Sequence, residues 1–279
     1  MNKSFQSVLF LSTGRTGTAF LASILRDTVP NVDVYHEAGG RSRLINILSH
    51  ANLAGLTSSQ LTISVWQRTI SGAIAQSQDN NHIYIDANNH LYNLAVKNPH
   101  LYPNLKVVHI VRDPRTYIRS HLNWSQSRFK SFLANYLIPF WQPTGYMVGE
   151  MGLGKWFKLS KIERFAWVWQ YKNKFINQLE NSSTPYLWIR FEDLFSLSDP
   201  GLTYQKILEF IGIKNSSQVE GYFYKSINSG KPSRLPGWMQ WPDPLCRKIH
   251  LFCKDGMEQF GYGNEPDWIK KISPDGVAS

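Results

Sequence analysis

A chain of 279 residues with 42% hydrophobic content and a formal net charge of +10 can build one α/β domain with a substantial core. No run approaches the ~20 apolar residues of a membrane helix, and the apolar stretch Val8–Leu11 is too short for a secretory signal, so a cytoplasmic protein is expected. The two cysteines, Cys246 and Cys253, match no metal-ligand spacing and read as small buried residues.

Ser7 to Leu25, SVLFLSTGRTGTAFLASIL, reads strand, glycine loop, helix. Val8 to Leu11 is the unbroken apolar run of a strand buried on both faces. The loop then sets Gly14 and Gly17 and several hydroxyls around Arg15, and Phe20, Leu21, Ile24 and Leu25 follow at helical spacing. A loop entering a helix N-terminus gathers backbone N–H groups where the dipole favours anions, so this reads as an anion cradle, for a phosphate, with a plain tight strand–helix turn as the alternative. The G-x-x-x-x-G-K-[ST] spacing of nucleotide triphosphatases is absent.

Val32 to Tyr35 is a second strand ending in His36-Glu37, and Arg41 to Leu53 reads as a helix. Leu56 to Gln76 carries a weaker helical pattern. Ile83 to Ile85 is a third strand, followed by Asp86-Ala87-Asn88-Asn89-His90. Polar residues at strand carboxyl ends lie where open α/β sheets bind ligands. Asp86 and Asn88 could bond an acceptor or cap the next helix.

KVVHIV, Lys106 to Val111, is the fourth and clearest strand. Asp113 and Pro114 then read as N-cap and first residue of a helix running to about Trp124. Arg112 at the strand end, with Thr116 and Ser120 on one helix face, makes a second anion site or a salt-bridged sheet rim. Ser125 to Ser160 is irregular and aromatic-rich, long enough to be a binding loop or lid. Helices are expected over Ile162–Leu179, Tyr204–Ile211 and from Pro244 to Gly261, with a fifth strand at Tyr186–Phe191. The loop Asn228 to Trp238 holds Lys231 and Arg234, and the tail from Asn264 to Ser279 reads as loosely held. Alternating strands and helices predict a parallel sheet covered on both sides. The scattered Lys and Arg residues and the lack of a nucleic-acid motif favour a small polyphosphorylated ligand over nucleic acid.

The pair SVLFLSTGRTGTAFL and KVVHIVRDPRTYIRS resembles the sulfotransferases that use 3′-phosphoadenosine-5′-phosphosulfate. IRFEDL and the terminal MEQFGY are similar to further motifs of that family, so the resemblance spans Ser7 to Tyr262. It implies an α/β, P-loop-like fold for a sulfotransferase domain over residues 1–263. It implies that Gly14, Arg15, Thr16, Gly17, Thr18 and Ala19 hold the donor's 5′-phosphosulfate, with Arg15 stabilising charge on the departing phosphate. Arg112 and Ser120 match the family's Arg and Ser for the 3′-phosphate, and Lys231 and Arg234 are candidates for the same group. No metal is implied. The first loop carries Arg15 where the cytosolic branch has lysine, and the Arg-Lys-Gly loop of that branch has no close match, so the chain looks nearer the bacterial and carbohydrate-type branches.

An acceptor hydroxyl or amine needs a base. Glu37 corresponds to the glutamate that follows the second strand in those branches, and is favoured. His90 stands near the place of the cytosolic branch's histidine, but its setting N-N-H-L-Y lacks that motif's lysine and proline. His36 is expected to orient Glu37 or line the pocket. Trp141 and Tyr146 are expected to contribute to binding a saccharide or small-metabolite acceptor. Two other readings are a small-molecule kinase and a basic nucleic-acid-binding protein.

Overall fold

Five strands, β1 (Ser7–Ser12), β2 (Val32–His36), β3 (Ile83–Ala87), β4 (Leu105–Val111) and β5 (Tyr186–Arg190), form one parallel sheet in the order β2-β3-β1-β4-β5. The computed structural model describes residues 5–40, 42–127, 140–196, 201–213, 220–223 and 236–273. All six residues of β1 are buried, as its central place requires. Leu9 stands opposite Asp86 on one side and Val107 on the other. The chain leaves β1 toward β2 in one direction and β4 toward β5 in the other. The carboxyl ends of β1 and β4 therefore flank a topological switch point, the usual ligand position in such sheets.

The chain divides into two compact units. Met1–Val111 with Phe175–Ser229 forms the first, which contains the sheet. Helices α1 (Thr18–Thr28), α2 (Ser42–Leu53), α3 (Ser59–Thr69), α4 (Ser71–Asp79) and α5 (Tyr92–Lys97) join its first four strands. The core sets Val8, Phe10, Val108 and Ile110 of the sheet against Leu21, Ile24 and Leu25 of α1. Helix α9 (Leu202–Ile211; α6–α8 follow below) adds Tyr204, Ile207 and Ile211 to the same cluster.

The second unit joins Arg112–Lys174 to Gly230–Ser279. It contains α6 (Pro114–Ser127), α7 (Leu153–Lys158), α10 (Asp243–Gln259) and α11 (Pro266–Ile272), with α8 (Lys161–Asn177) lying in it up to Lys174. Trp156, Trp167 and Val168 pack with Tyr171 and Phe252. Cys246 and Cys253 are buried free thiols.

Three expectations change. The weak pattern over Leu56–Gln76 resolves into two helices, the first capped by Ser58 accepting from the Leu61 N–H and closed at Ile70. Part of the segment expected to be irregular is helical: α6 runs on to Ser127, and α7 occupies Leu153–Lys158 with Trp156 buried inward. The expected loose tail is, over Pro266–Ile272, a helix whose Trp268 is fully buried. Glu265, just before that helix, pairs with Arg115. Arg115 in turn meets Asp113 at 2.6 Å and lies over the rings of Trp238 and Trp268. The signals missed were one tryptophan and one glutamate, too few to form a visible pattern.

Candidate active site

The cradle begins where β1 ends. The Ser12 hydroxyl accepts the Gly14 N–H at 3.1 Å and starts the turn. Gly14, Arg15 and Gly17 have φ of 90, 59 and 74°, so the loop curls through left-handed backbone that only glycine adopts freely. Gly17 is also the N-cap of α1 and supplies no side-chain cap, leaving the first helical N–H groups unclaimed by a cap. Thr13 and Thr16 are 1% and 0% exposed, and their hydroxyls have no hydrogen-bond partner. Such groups are costly to bury unmatched. An oxygen-rich phosphosulfate would supply what these hydroxyls lack, so the residues present fit the donor that the motifs imply. Arg15 is exposed, and Thr18 and Ala19 open α1.

The second part of the site lies at the ends of β2 and β3. Glu37 and Ala38 follow β2 with φ of 54 and 42°. For residues with side chains this conformation costs on the order of 1–3 kcal/mol each and persists only when surroundings enforce it. The Ser42 hydroxyl donates to the Glu37 carbonyl at 3.1 Å, and Asp86 Oδ1 accepts the Ala38 N–H at 3.3 Å. The Glu37 carboxylate accepts from Asn89 Nδ2 at 3.0 Å, and His90 Nε2 lies 3.5 Å from the same oxygen. The two candidate bases are therefore neighbours. Burial would raise the Glu37 pKa, but the bond and charge of His90, with His36 and Arg43, outweigh it and hold it at about 2.

His36 Nε2 lies 3.3 Å from the Thr18 hydroxyl, which ties β2 to the start of α1. Burial, with smaller effects from His90 and Arg26, holds its imidazole below the ordinary value against the pull of Glu37. Asn89 also borders the cradle: a Cβ on Gly14 would stand 3.6 Å from its amide carbon. Asp86 and Asn88 are fully buried and turned inward to protein. Asn88 Nδ2 donates to Asp86 Oδ2 at 2.9 Å while its own oxygen accepts the His90 N–H at 2.9 Å. Of the two uses open to Asn88, the structure displays the turn-capping one.

The first unit thus gathers the cradle, His36, Glu37, Asp86, Asn88 and His90. Asn89 and Ser42 belong with them and escaped the reading of the sequence. The only trace was a polar run after β3 and a hydroxyl five residues after Glu37. The second unit holds Arg112, half-buried, whose Nε donates to the Thr116 hydroxyl at 3.0 Å and whose carbonyl accepts from Trp169 Nε1 at 2.8 Å. Ser120 lies one turn beyond Thr116 on α6 and is half-buried. Trp141 is half-buried; Tyr146 is exposed and stacks on Phe157. Lys231 and Arg234 lie outside the described residues.

A family model described as "Sulfotransferase domain" matches residues 5–228. Carbohydrate sulfotransferase 2 of Mus musculus is 24% identical over 214 residues, which is 64% of this chain and 38% of that protein. The Homo sapiens protein of the same name is 23% identical over 206 residues, 61% of this chain and 37% of its own. The chain thus spans under two-fifths of the length of these relatives. Among solved structures, the sulfotransferase domain from the curacin biosynthetic pathway is similar at TM-score 0.49 and 13% identity, covering 95% of each chain. A sulfotransferase from Alicyclobacillus acidocaldarius is similar at TM-score 0.49 and 11% identity, covering 96% of this chain and 100% of that one. The family model, which runs over residues 5–228 and so covers most of the chain, places it in the sulfotransferase family.

Proposed function

We propose that the chain transfers a sulfuryl group from 3′-phosphoadenosine-5′-phosphosulfate to a hydroxyl of a saccharide. The observation carrying this reading is the Asn89 amide. It stands between the cradle at Gly14 and the Glu37 carboxylate, so an anion site and an ionised base share one neighbour. The printed names of the relatives support the saccharide acceptor.

The donor supplies a sulfur already activated by its bond to a phosphate leaving group. The chain's own residues would do the rest by position and charge. The loop N–H groups and the Thr13 and Thr16 hydroxyls hold the oxygens of the donor's 5′ end, and Arg15 stabilises charge gathering on the departing phosphate. Arg112 and Ser120 hold the 3′-phosphate. Glu37 takes the acceptor's hydroxyl proton as the acceptor oxygen bonds to sulfur and the bond from sulfur to the leaving oxygen breaks. Its low pKa keeps it ionised at neutral pH. In a loose transition state the nucleophile is little bonded, so a weakly basic carboxylate suffices. His90 Nε2 neighbours the same oxygen.

Glu37→Gln should abolish turnover and leave the affinity for 3′-phosphoadenosine-5′-phosphate, read by thermal shift, nearly unchanged. Turnover near the parent value would overturn Glu37 as base and make His90→Ala the decisive variant. Chelator in the same assay should leave the rate unchanged, whereas a magnesium-dependent kinase would stop.

A further inference from the structure

We propose that Asp86 and Ser42 are positioning residues that clamp a single peptide group, the one joining Glu37 to Ala38, and so aim the Glu37 carboxylate; this rests on Glu37 being the base. The two hydrogen bonds belong to the two polar groups of one peptide. Ser42 donates to its carbonyl and Asp86 accepts from its N–H. The residues on either side both have left-handed φ, 54 and 42°, although neither is glycine. A free chain would relax to the ordinary right-handed or extended regions. Rotation there would swing the Glu37 side chain away from Asn89 and His90.

The two anchors differ in a way that suits the task. Asp86 is rigid: it lies in β3, in register with Tyr35 of β2, and is fixed by Asn88 Nδ2 at 2.9 Å and the Tyr84 hydroxyl at 3.5 Å. It is fully buried, and burial pushes its carboxyl up to about 6. A carboxylate placed at such a cost where an apolar residue would pack more favourably marks a functional constraint. Ser42 is the first residue of α2 and is fully buried. Strand and helix thus grip the strained peptide from opposite ends. Neither residue touches the acceptor in this role. That differs from the acceptor contact the sequence allowed for Asp86.

Asp86→Ala, Ser42→Ala, the double variant Asp86→Ala/Ala38→Gly and Glu37→Gln would be compared by kcat, donor KM and amide exchange at Ala38. Misplacement of a catalytic group can cost on the order of 10²-fold in rate. Asp86→Ala should lose about that much kcat with donor KM within about twofold, since only transition-state alignment is affected. Its Ala38 amide should exchange faster. Ser42→Ala should lose about tenfold in kcat, one of two anchors being gone. Adding Ala38→Gly should recover part of the Asp86→Ala loss, because glycine takes the left-handed conformation without strain. Unchanged kcat in Asp86→Ala and Ser42→Ala beside an inactive Glu37→Gln would overturn the clamp alone. A kcat loss with unaltered Ala38 exchange and no rescue would also overturn it, as simple damage to the core. An active Glu37→Gln would overturn the base assignment and the clamp together. Should Asp86→Ala fail to fold, Ser42→Ala decides.

Discussion

Glu37, in the turn after β2, and Asp86, on β3 and bonded to that turn, are two carboxylates whose surroundings push them apart, to about 2 and about 6. Their effects on stability have opposite signs. Glu37, lowered from its ordinary 4.5, stabilises the fold above that value and loses this as pH falls toward 2. Asp86, raised from its ordinary 3.8 to about 6, binds its proton more tightly in the folded state. The folded chain therefore loses stability as pH rises from about 4 to about 6, by about 3 kcal/mol at the 1.4 kcal/mol per unit of linkage. Asp86→Asn keeps an oxygen for Ala38 and removes the titration. Its stability relative to the parent should climb between pH 4 and 7 in denaturant melts; a difference flat with pH would refute the raised carboxyl. Arg112 offers a separate check. Arg112→Ala should weaken 3′-phosphoadenosine-5′-phosphate by about tenfold or more, the worth of a charge-assisted hydrogen bond, while barely changing adenosine 5′-phosphate. Equal losses in calorimetry would remove Arg112 from the 3′-phosphate.

The β1–α1 turn was legible because its chemistry is local: an apolar strand, two glycines and a helical stripe lie within one short run. Packing adds a tertiary reason for Gly17, since a Cβ there would come within 3.0 Å of the Phe195 ring, at a φ of 74°. Gly17→Ala should destabilise the protein by more than about 1 kcal/mol, the conformational cost alone, and weaken the bisphosphate nucleotide; an unchanged Tm would refute the close contact. The ion pairs of Arg115 were not legible, because Asp113 and Glu265 lie 152 residues apart and meet only in the folded unit. The Arg115 side chain is 1% exposed, so removing it strands a buried carboxylate. Arg115→Ala should cost about 3–5 kcal/mol, as breaking buried pairs does, read as a drop in denaturation midpoint; a loss below 1 kcal/mol would reclassify the pair as surface-like. Asn89 and Ser42 escaped notice for a related reason. Polar residues after a strand are commonplace, and only the left-handed backbone at Glu37 gives these two a task.

A parallel sheet covered by helices followed from the alternation of strands and helices, while its strand order and the division into two units did not, because each unit is assembled from two separated stretches of chain. The composition shows no break at Arg112 or Phe175 to announce it. The strand order also dictates when this protein can fold during synthesis. β1 is the first strand made and the middle of the finished sheet, yet its partners begin only at Ile83 and Leu105, and the outer β5 ends at Arg190. The apolar Val8–Leu11 run must therefore wait, unpaired, while about a hundred residues leave the ribosome at roughly 5–20 residues per second. Long-range parallel pairing of this kind is slow and exposed to aggregation. Nascent chains truncated before Leu105 should remain bound to holdase chaperones, and those extended past Arg190 should be released.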